Sequence, residues 1–325
     1  MHNHFFREKR FFLAILLLSA LHAKDISPIA TIEVSGIVSD FVEDKGYLYV
    51  ATDVGIVDII DLSSQKIVKQ IILPPLVSAQ DGEIPARIHA IDRYRNKTLL
   101  VTSAPNAYRE VWIEENGKLK KIIDAQKHLM PKSAFFNEKG KIVFGTFGSD
   151  IILYDKEENY RIYENHISES TMGGMVLSSD KKKMIISDES GMVKVIDVNS
   201  SKIEKEYSKE HVDNIYKVAY SNGIIVTAGQ DRRVGVYFTD SGDSYHLKSD
   251  FLVYCVGLSP DGTTAVYSSG MEHHLQLFNP ATKSKGNRLV GHYATPTKIL
   301  FINERALIST GDEDKVFFWL LPEHP

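Results

Sequence analysis

Cysteine is nearly absent from this sequence. The chain has 325 residues and a single cysteine, Cys255, so no internal disulfide bond can form. A chain of this length buries enough apolar surface to fold without one. Because Cys255 lies in the apolar run FLVYCVGL, we expect its side chain to be buried.

An excess of positive charge is also missing. The formal net charge is -4 at pH 7, whereas nucleic-acid-binding domains carry clustered basic residues, so we expect no nucleic-acid partner. After residue 23, no apolar run reaches the roughly 20 residues that cross a bilayer. We therefore expect no membrane span in the mature chain.

The first 23 residues differ from the rest of the chain. A basic start, MHNHFFREKR, precedes the apolar run FFLAILLLSALHA, and Ala23 is a small residue suited to cleavage. This pattern predicts a cleaved secretory signal peptide at residues 1–23 and a periplasmic location, with an uncleaved membrane anchor as the alternative. Residues 24–325 are then expected to form one folded domain.

Motifs of common enzyme classes are absent as well. The sequence has no Gly-rich phosphate loop, no nucleophile elbow and no haem-attachment motif, so we predict no catalytic residues and no cofactor. One turn, GMEHHLQLF, contains the metal-ligand types Met271, His273 and His274. Since adjacent side chains in a hairpin point apart, these three are weak metal candidates that need ligands from elsewhere.

The sequence is rich in internal repeats. Seven segments share an apolar strand, a polar turn, a second apolar strand and a charged hairpin. The third strand of each repeat ends at Asp61, Glu114, Asp155, Asp197, Phe238, Asn279 and Leu320. The intervals are 53, 41, 42, 41, 41 and 41 residues, close to the about 40–45 residues of a propeller blade. The sequence therefore predicts an all-β, seven-bladed β-propeller of four-stranded antiparallel blades.

The last repeat supplies only three strands. Before the first repeat, the strand-like run SPIATIEVSG, residues 27–36, belongs to no other repeat. We predict that residues 29–34 pair with residues 316–321. Such pairing closes the ring and covers a sheet edge that would otherwise invite aggregation.

These repeats resemble those of the WD-repeat propellers over essentially the whole mature chain. The best-matching stretches are VGLSPDG (256–262), TAGQDRRVGVY (227–237) and STGDEDKVFFW (309–319). The resemblance implies a buried histidine–aspartate network, which His211 with Asp231, and His292 with Asp312 or Asp314, would form. Elsewhere the histidine is missing and the terminal Trp-Asp pair is replaced, so the other blades are expected to lack this network.

The openings of the first strands are expected to approach the central channel. Among them the partner-binding candidates are His89, Lys132, Tyr216, Lys217, Tyr254 and Lys298, with Ser39, Ser133 and Thr297 beside them. This polar, aromatic and basic group suits a peptide, an acidic partner segment or a small anion. The alternative is a solvated funnel with no ligand. The longest link between repeats, residues 74–87, lies on the same face.

Two classes of function fit these features. One is a non-catalytic protein-interaction module in the periplasm. The alternative is a propeller hydrolase or lactonase, or a cofactor-holding oxidoreductase subunit. A lactonase-like site needs acids and asparagines that converge on the channel, whereas the strand openings offer basic side chains and hydroxyl groups.

The chain also resembles the L accessory proteins of periplasmic nitrate reductase (Nap) systems. The features that carry this resemblance are the short signal, the seven degenerate repeats and the closing STGDEDKVFFWLL. That resemblance implies a role in supporting the maturation or activity of the reductase, with a partner among its subunits.

Overall fold

The first six repeats each fold into an antiparallel sheet of four strands, and the three strands of the seventh repeat are joined by a fourth from the start of the chain. These seven sheets stand around a common centre as the blades of a propeller. The computed structural model describes residues 24–78 and 82–323. This architecture confirms the predicted fold. The predicted signal peptide, residues 1–23, lies outside the described residues.

The strands follow the chain in blade order. Two short strands come first, β1 (Asp25–Ile26) and β2 (Ala30–Glu33). Blade 1 contains β3 (Val38–Asp44), β4 (Tyr47–Thr52), β5 (Ile56–Asp61) and β6 (Lys66–Ile72). The long link to blade 2 contains β7 (Leu76–Ser78) and β8 (Gly82–Ile84), which pair as a hairpin. Blade 2 contains β9 (Ile88–Tyr94), β10 (Lys97–Ser103), β11 (Arg109–Glu115) and β12 (Lys118–Ile123). Blade 3 contains β13 (Pro131–Phe136), β14 (Ile142–Thr146), β15 (Asp150–Asp155) and β16 (Tyr160–His166).

The remaining blades repeat this order. Blade 4 contains β17 (Met172–Leu177), β18 (Lys183–Asp188), β19 (Val193–Asp197) and β20 (Ile203–Tyr207). Blade 5 contains β21 (Ile215–Ser221), β22 (Ile224–Gly229), β23 (Arg233–Phe238) and β24 (Ser244–Lys248). Blade 6 contains β25 (Val256–Leu258), β26 (Ala265–Ser269), β27 (His274–Phe278) and β28 (Lys285–Leu289). Blade 7 contains β29 (Pro296–Phe301), β30 (Ala306–Gly311) and β31 (Lys315–Leu320). Two 3-10 helices are Pro105–Ala107 and Ala125–Lys127. Within residues 24–78 and 82–323, no helix is long and apolar enough to cross a membrane.

Tight turns join the first and second strands of several blades. Lys45 and Gly46, between β3 and β4, have φ angles of 54° and 82°, and Asn222 and Gly223, between β21 and β22, have 45° and 74°. Two consecutive left-handed residues are typical of the two-residue hairpin turn whose twist matches that of the strands. The turns therefore hold successive strands in one antiparallel sheet.

The start of the chain closes the ring. Strand β2 pairs antiparallel with β31, with Ala30 opposite Phe318 and Ile32 opposite Val316, which confirms the predicted closure. A second contact was not predicted, because β1 pairs in parallel with β28 and adds a fifth strand to blade 6. There Asp25 forms a salt bridge of 2.9 Å with Arg288. The N-terminal segment therefore covers the outer edges of blades 6 and 7.

The apolar core lies between blades. Seven clusters of buried side chains each draw residues from two neighbouring blades. At the closing seam, Phe41 and Leu48 of blade 1 belong to the same cluster as Ile308 and Val316 of blade 7. Because every blade shares a core with both neighbours, packing holds the first strands of all blades around one centre.

Candidate functional site

His211 forms a buried hydrogen-bond network of the kind that the WD-repeat resemblance implies. Its Nδ1 atom lies 3.0 Å from Asp231 Oδ1, and its Nε2 atom lies 2.7 Å from Thr227 Oγ1. Burial raises the pKa of Asp231, but hydrogen bonds from His211 and from the backbone N–H of Val212 outweigh it and hold that pKa below its usual value. The network fastens the link before blade 5 to the turn between β22 and β23, which is a structural role.

The partner of His292 differs from the expected one. Its Nδ1 atom lies 2.5 Å from Glu313 Oε1, and its Nε2 atom lies 2.7 Å from Ser309 Oγ. The expectation that Asp312 or Asp314 would bind this histidine is wrong. The side chain of Asp312 is exposed on the turn, whereas Glu313 is buried beneath it. Glu313 therefore faces the imidazole.

The first strands of all seven blades surround a central channel with a volume of about 590 Å³. Its lining includes most of the side chains expected at the mouth, namely Ser39, His89, Lys132, Ser133, Lys217, Thr297 and Lys298. The two expected tyrosines, Tyr216 and Tyr254, are not part of this lining. Their rings stack on each other beside it, with centroids 5.6 Å apart.

Of the three lysines that were predicted for the channel, two have protein partners. The ammonium group of Lys298 forms an ion pair with Asp40 and donates to the carbonyl oxygen of Phe41 at 2.6 Å. Lys132 donates to the carbonyl oxygen of Met172 on blade 4. Lys298 therefore has a counter-charge, whereas Lys132 has only a neutral acceptor.

Lys217 has no hydrogen-bond or ion-pair partner for its ammonium group in the part of the chain that the structure describes. Its side chain is exposed to the channel space, but the blades surround that space. Removal from bulk water lowers the pKa of Lys217; Asp40 opposes this shift in part, and Lys298 adds to it. The channel thus contains an unpaired, partly desolvated cation.

Two further lining residues were missed from the sequence. The guanidinium carbon of Arg109 lies 5.8 Å, and the Lys132 ammonium 5.5 Å, from the centre of the Phe147 ring. The Nε atom of Arg109 is buried and has no hydrogen-bond partner among the described residues. Both Arg109 and Phe147 follow a second strand of a blade, where the turn lies on the same face as the blade links. Position within the repeat was therefore the signal that pointed to them.

Both carboxylates that line the channel form ion pairs with lysines. Asp40 pairs with Lys298, and the Lys181 ammonium lies 3.4 Å from Asp92 Oδ2. Burial raises the pKa of Asp92, although Lys181 opposes this shift. Among the described lining residues there is no asparagine and no other acid. The convergent acids and asparagines that a lactonase-like site needs are not brought together here.

The weak metal candidates stand apart from other ligands. Met271 is 76% exposed, and His274 Nδ1 lies 3.6 Å from Glu272 Oε2 in the same turn as His273. In residues 24–78 and 82–323, no group of three or more histidine, cysteine, aspartate or glutamate residues is placed to hold a metal ion.

Three of the exposed apolar side chains lie on the links and turns of blades 5 to 7. Val212 is 71%, Met271 76% and Tyr293 56% exposed. They share this face of the ring with the stacked Tyr216 and Tyr254. We call these five residues the aromatic face.

Comparison with known proteins supports the fold. No protein-family model and no curated protein matches the chain. The β-propeller domain of Cps50 (Swd1) from Myceliophteria thermophila is similar with a TM-score of 0.71 and 14% identity, over 91% of this chain and 99% of that chain. A chain of the Mitotic Checkpoint Complex is similar with a TM-score of 0.74 and 13% identity, over 99% of this chain and 100% of that one. Both are WD40 propellers, and identities this low establish the shared fold alone.

Proposed function

We propose that the chain is a non-catalytic interaction module that binds a protein partner through the aromatic face. The observation that carries this proposal is the exposure of Val212, Met271 and Tyr293 on the same face of the ring as the stacked Tyr216 and Tyr254. Exposed apolar groups collected on one side of a soluble protein mark interaction sites, and tyrosines commonly supply much of the binding energy. That a similar propeller is part of a complex supports the same conclusion.

The proposed partner is a periplasmic nitrate reductase subunit or its cytochrome partner, and the proposed location is the periplasm. The resemblance to the L accessory proteins and the signal-like residues 1–23 support this proposal. A contact at the first described residue is compatible with cleavage after Ala23. The backbone nitrogen of Lys24 lies 2.8 Å from Asn287 Oδ1, and the ammonium group of a cleaved chain would keep this hydrogen bond.

The test is a binding measurement with purified components. We expect the mature chain to bind the purified reductase with its cytochrome partner, and the Tyr216→Ala/Tyr254→Ala variant to bind at least about tenfold more weakly, since two interface tyrosines are lost. The matched control is Val68→Ala/Ile72→Ala, which removes exposed apolar groups from β6 on the outer edge of blade 1. Absence of binding, or an equal loss in both variants, would overturn the proposal.

A further inference from the structure

Positive charge is concentrated in the channel, although the chain as a whole is acidic. Lys132, Lys217 and Lys298 line it together with Asp40, in a chain whose formal net charge is -4. Asp40 forms its ion pair with Lys298. Lys132 and Lys217 are therefore left without a carboxylate partner among the described residues.

The surroundings of Lys217 do not neutralise it. The nearby Cys255 thiol is uncharged at neutral pH, because burial raises the pKa of Cys255 to about 12. A desolvated ammonium group without a counter-charge is unfavourable. An anion that enters the channel would supply the missing counter-charge and would be attracted more strongly there than in bulk water.

A second unsatisfied donor belongs to the same cavity. Arg109 lines the channel, and its guanidinium has no hydrogen-bond partner in the described part of the chain, although polar groups removed from water normally have one. Its Nε atom is enclosed, so a ligand in the channel would contact the terminal nitrogens. Arg109 and Lys132 both lie against the Phe147 ring. The channel thus offers hydrogen-bond donors and an aromatic surface to the same ligand.

The size and lining of the cavity favour an organic ligand over a bare inorganic ion. Its volume of about 590 Å³ lies within the range of about 300–1,000 Å³ typical of pockets for small organic molecules. Between the lysines of blades 3 and 5, blade 4 contributes Gly173 and Gly174, which have no side chain to fill the space. Gly173 also permits close contact of blades 4 and 5, because a Cβ atom there would lie 1.8 Å from the Ile215 carbonyl oxygen.

We propose that the central channel binds a small organic anion whose carboxylate or phosphate group contacts Lys217, with Lys132 and Arg109 as further donors. This site goes beyond the proposed partner surface. Tyr216 and Tyr254 belong to the aromatic face and not to the channel lining, so the two proposals can fail independently. Binding is non-covalent and needs no co-reactant.

Calorimetric titration tests the site. The probes are phenylacetate, phenyl phosphate, inorganic phosphate and the neutral benzyl alcohol. We expect saturable one-to-one binding of at least one organic anion, with affinity lowered at least about tenfold in Lys217→Gln, since a charge-assisted contact is lost. The control, Lys285→Gln, removes an exposed lysine from the outer strand of blade 6 and should bind as the unchanged chain does. Which organic anion binds more tightly identifies the head group.

Several results would overturn the proposal. They are no saturable binding of either organic anion, equal binding of benzyl alcohol, inorganic phosphate binding as tightly as the organic anions, or full affinity in Lys217→Gln. A measurement on the unchanged chain guards against a variant that fails to fold. The better organic anion should slow reductive methylation of Lys217, followed by mass spectrometry, and leave the methylation of Lys285 unchanged. Equal rates at Lys217 with and without the anion would contradict the site.

Discussion

At the scale of single residues, His292 and Glu313 form a fully enclosed hydrogen bond in blade 7. Both side chains are fully buried, and Ser309 accepts a hydrogen bond from the Trp319 indole at 2.8 Å while it contacts the imidazole. Removal of one member would leave buried polar atoms of the others unsatisfied, which costs more than the intact hydrogen bond contributes.

The first prediction concerns Glu313. We expect Glu313→Ala to lower the free energy of unfolding by about 3 kcal/mol, because it leaves the buried His292 without its carboxylate partner. The neighbouring Asp312→Ala should change it by less than about 0.5 kcal/mol, since Asp312 is exposed. Urea unfolding followed by circular dichroism measures both variants. Equal effects at the two positions would contradict the assignment of Glu313 as the partner of His292.

Lys217 lowers the stability of the folded chain, in contrast to the His292–Glu313 pair. Folding lowers the pKa of Lys217 because the channel desolvates its ammonium group, so the folded chain holds this proton less tightly than the unfolded chain does. By linkage, this group opposes folding below its folded pKa, and the opposition fades as pH rises from the folded toward the unfolded value. An unpaired cation of this kind lowers the stability of the folded chain, and the anion proposed for the channel would offset that loss when it binds.

At the scale of elements, β2 is the strand on which closure depends. Its side chains alternate, with Thr31 exposed and Ile32 packed against the core shared by blades 7 and 1. Ile32 also faces Val316 across the strand pair. Side chains on the two faces of this one strand thus differ in their environment and provide a matched pair of positions.

The second prediction uses that pair. We expect Ile32→Asp to lower the free energy of unfolding by about 2–3 kcal/mol, because it places a carboxylate against an apolar core. We also expect this variant to self-associate more, because β2 would cover the edge of β31 less firmly. Thr31→Asp should be close to neutral. Urea unfolding and size-exclusion chromatography measure the two effects. Similar behaviour of both variants would show that β2 contributes no packing to the seam.

The sequence predicts some elements and not others for identifiable reasons. Closure was predictable because residues 27–36 are a strand without a repeat, next to a last repeat that is one strand short. Strand β1 was not, since two residues show no alternation and Arg288, which Asp25 faces, lies 263 residues away in sequence. Three successive acids, residues 312–314, share one turn, and only the backbone geometry decides that Glu313 points inward.

The channel site was predictable in part. Every first strand opens toward the centre, so position in the repeat placed Lys132, Lys217 and Lys298 there. Which lysine has a counter-charge was not predictable, because Asp40 and Lys298 are far apart in sequence and meet only when the ring closes. Position in the repeat also pointed to Arg109, but its contact with Phe147 of blade 3 depends on the packing of two blades.

At the scale of the whole molecule, the seven inter-blade cores form one closed series. Cys255, the sole cysteine of the chain, is 1% exposed and belongs to the core shared by blades 6 and 7. Although Cys255 is among the residues around the channel, its side chain is packed in this core and is not open to the channel space. Because each blade is held by both neighbours, exposure of this thiol should require the ring to open cooperatively and not one blade to detach.

The third prediction is that the Cys255 thiol reacts only on global unfolding. We expect its labelling by a disulfide reagent to be at least about 1,000-fold slower than that of an unfolded control, as a stability of several kcal/mol implies. The logarithm of the rate should rise with urea at the slope of the equilibrium unfolding curve. The raised pKa of Cys255 also slows labelling, but it cannot produce that slope.

The variant Ile32→Asp tests whether the blades are coupled. It should speed labelling by the factor that matches its loss of stability, although it alters the core between blades 7 and 1 and Cys255 lies in the core between blades 6 and 7. A shallow urea dependence, or a rate unchanged by Ile32→Asp, would show that blades open singly and that closure does not couple them.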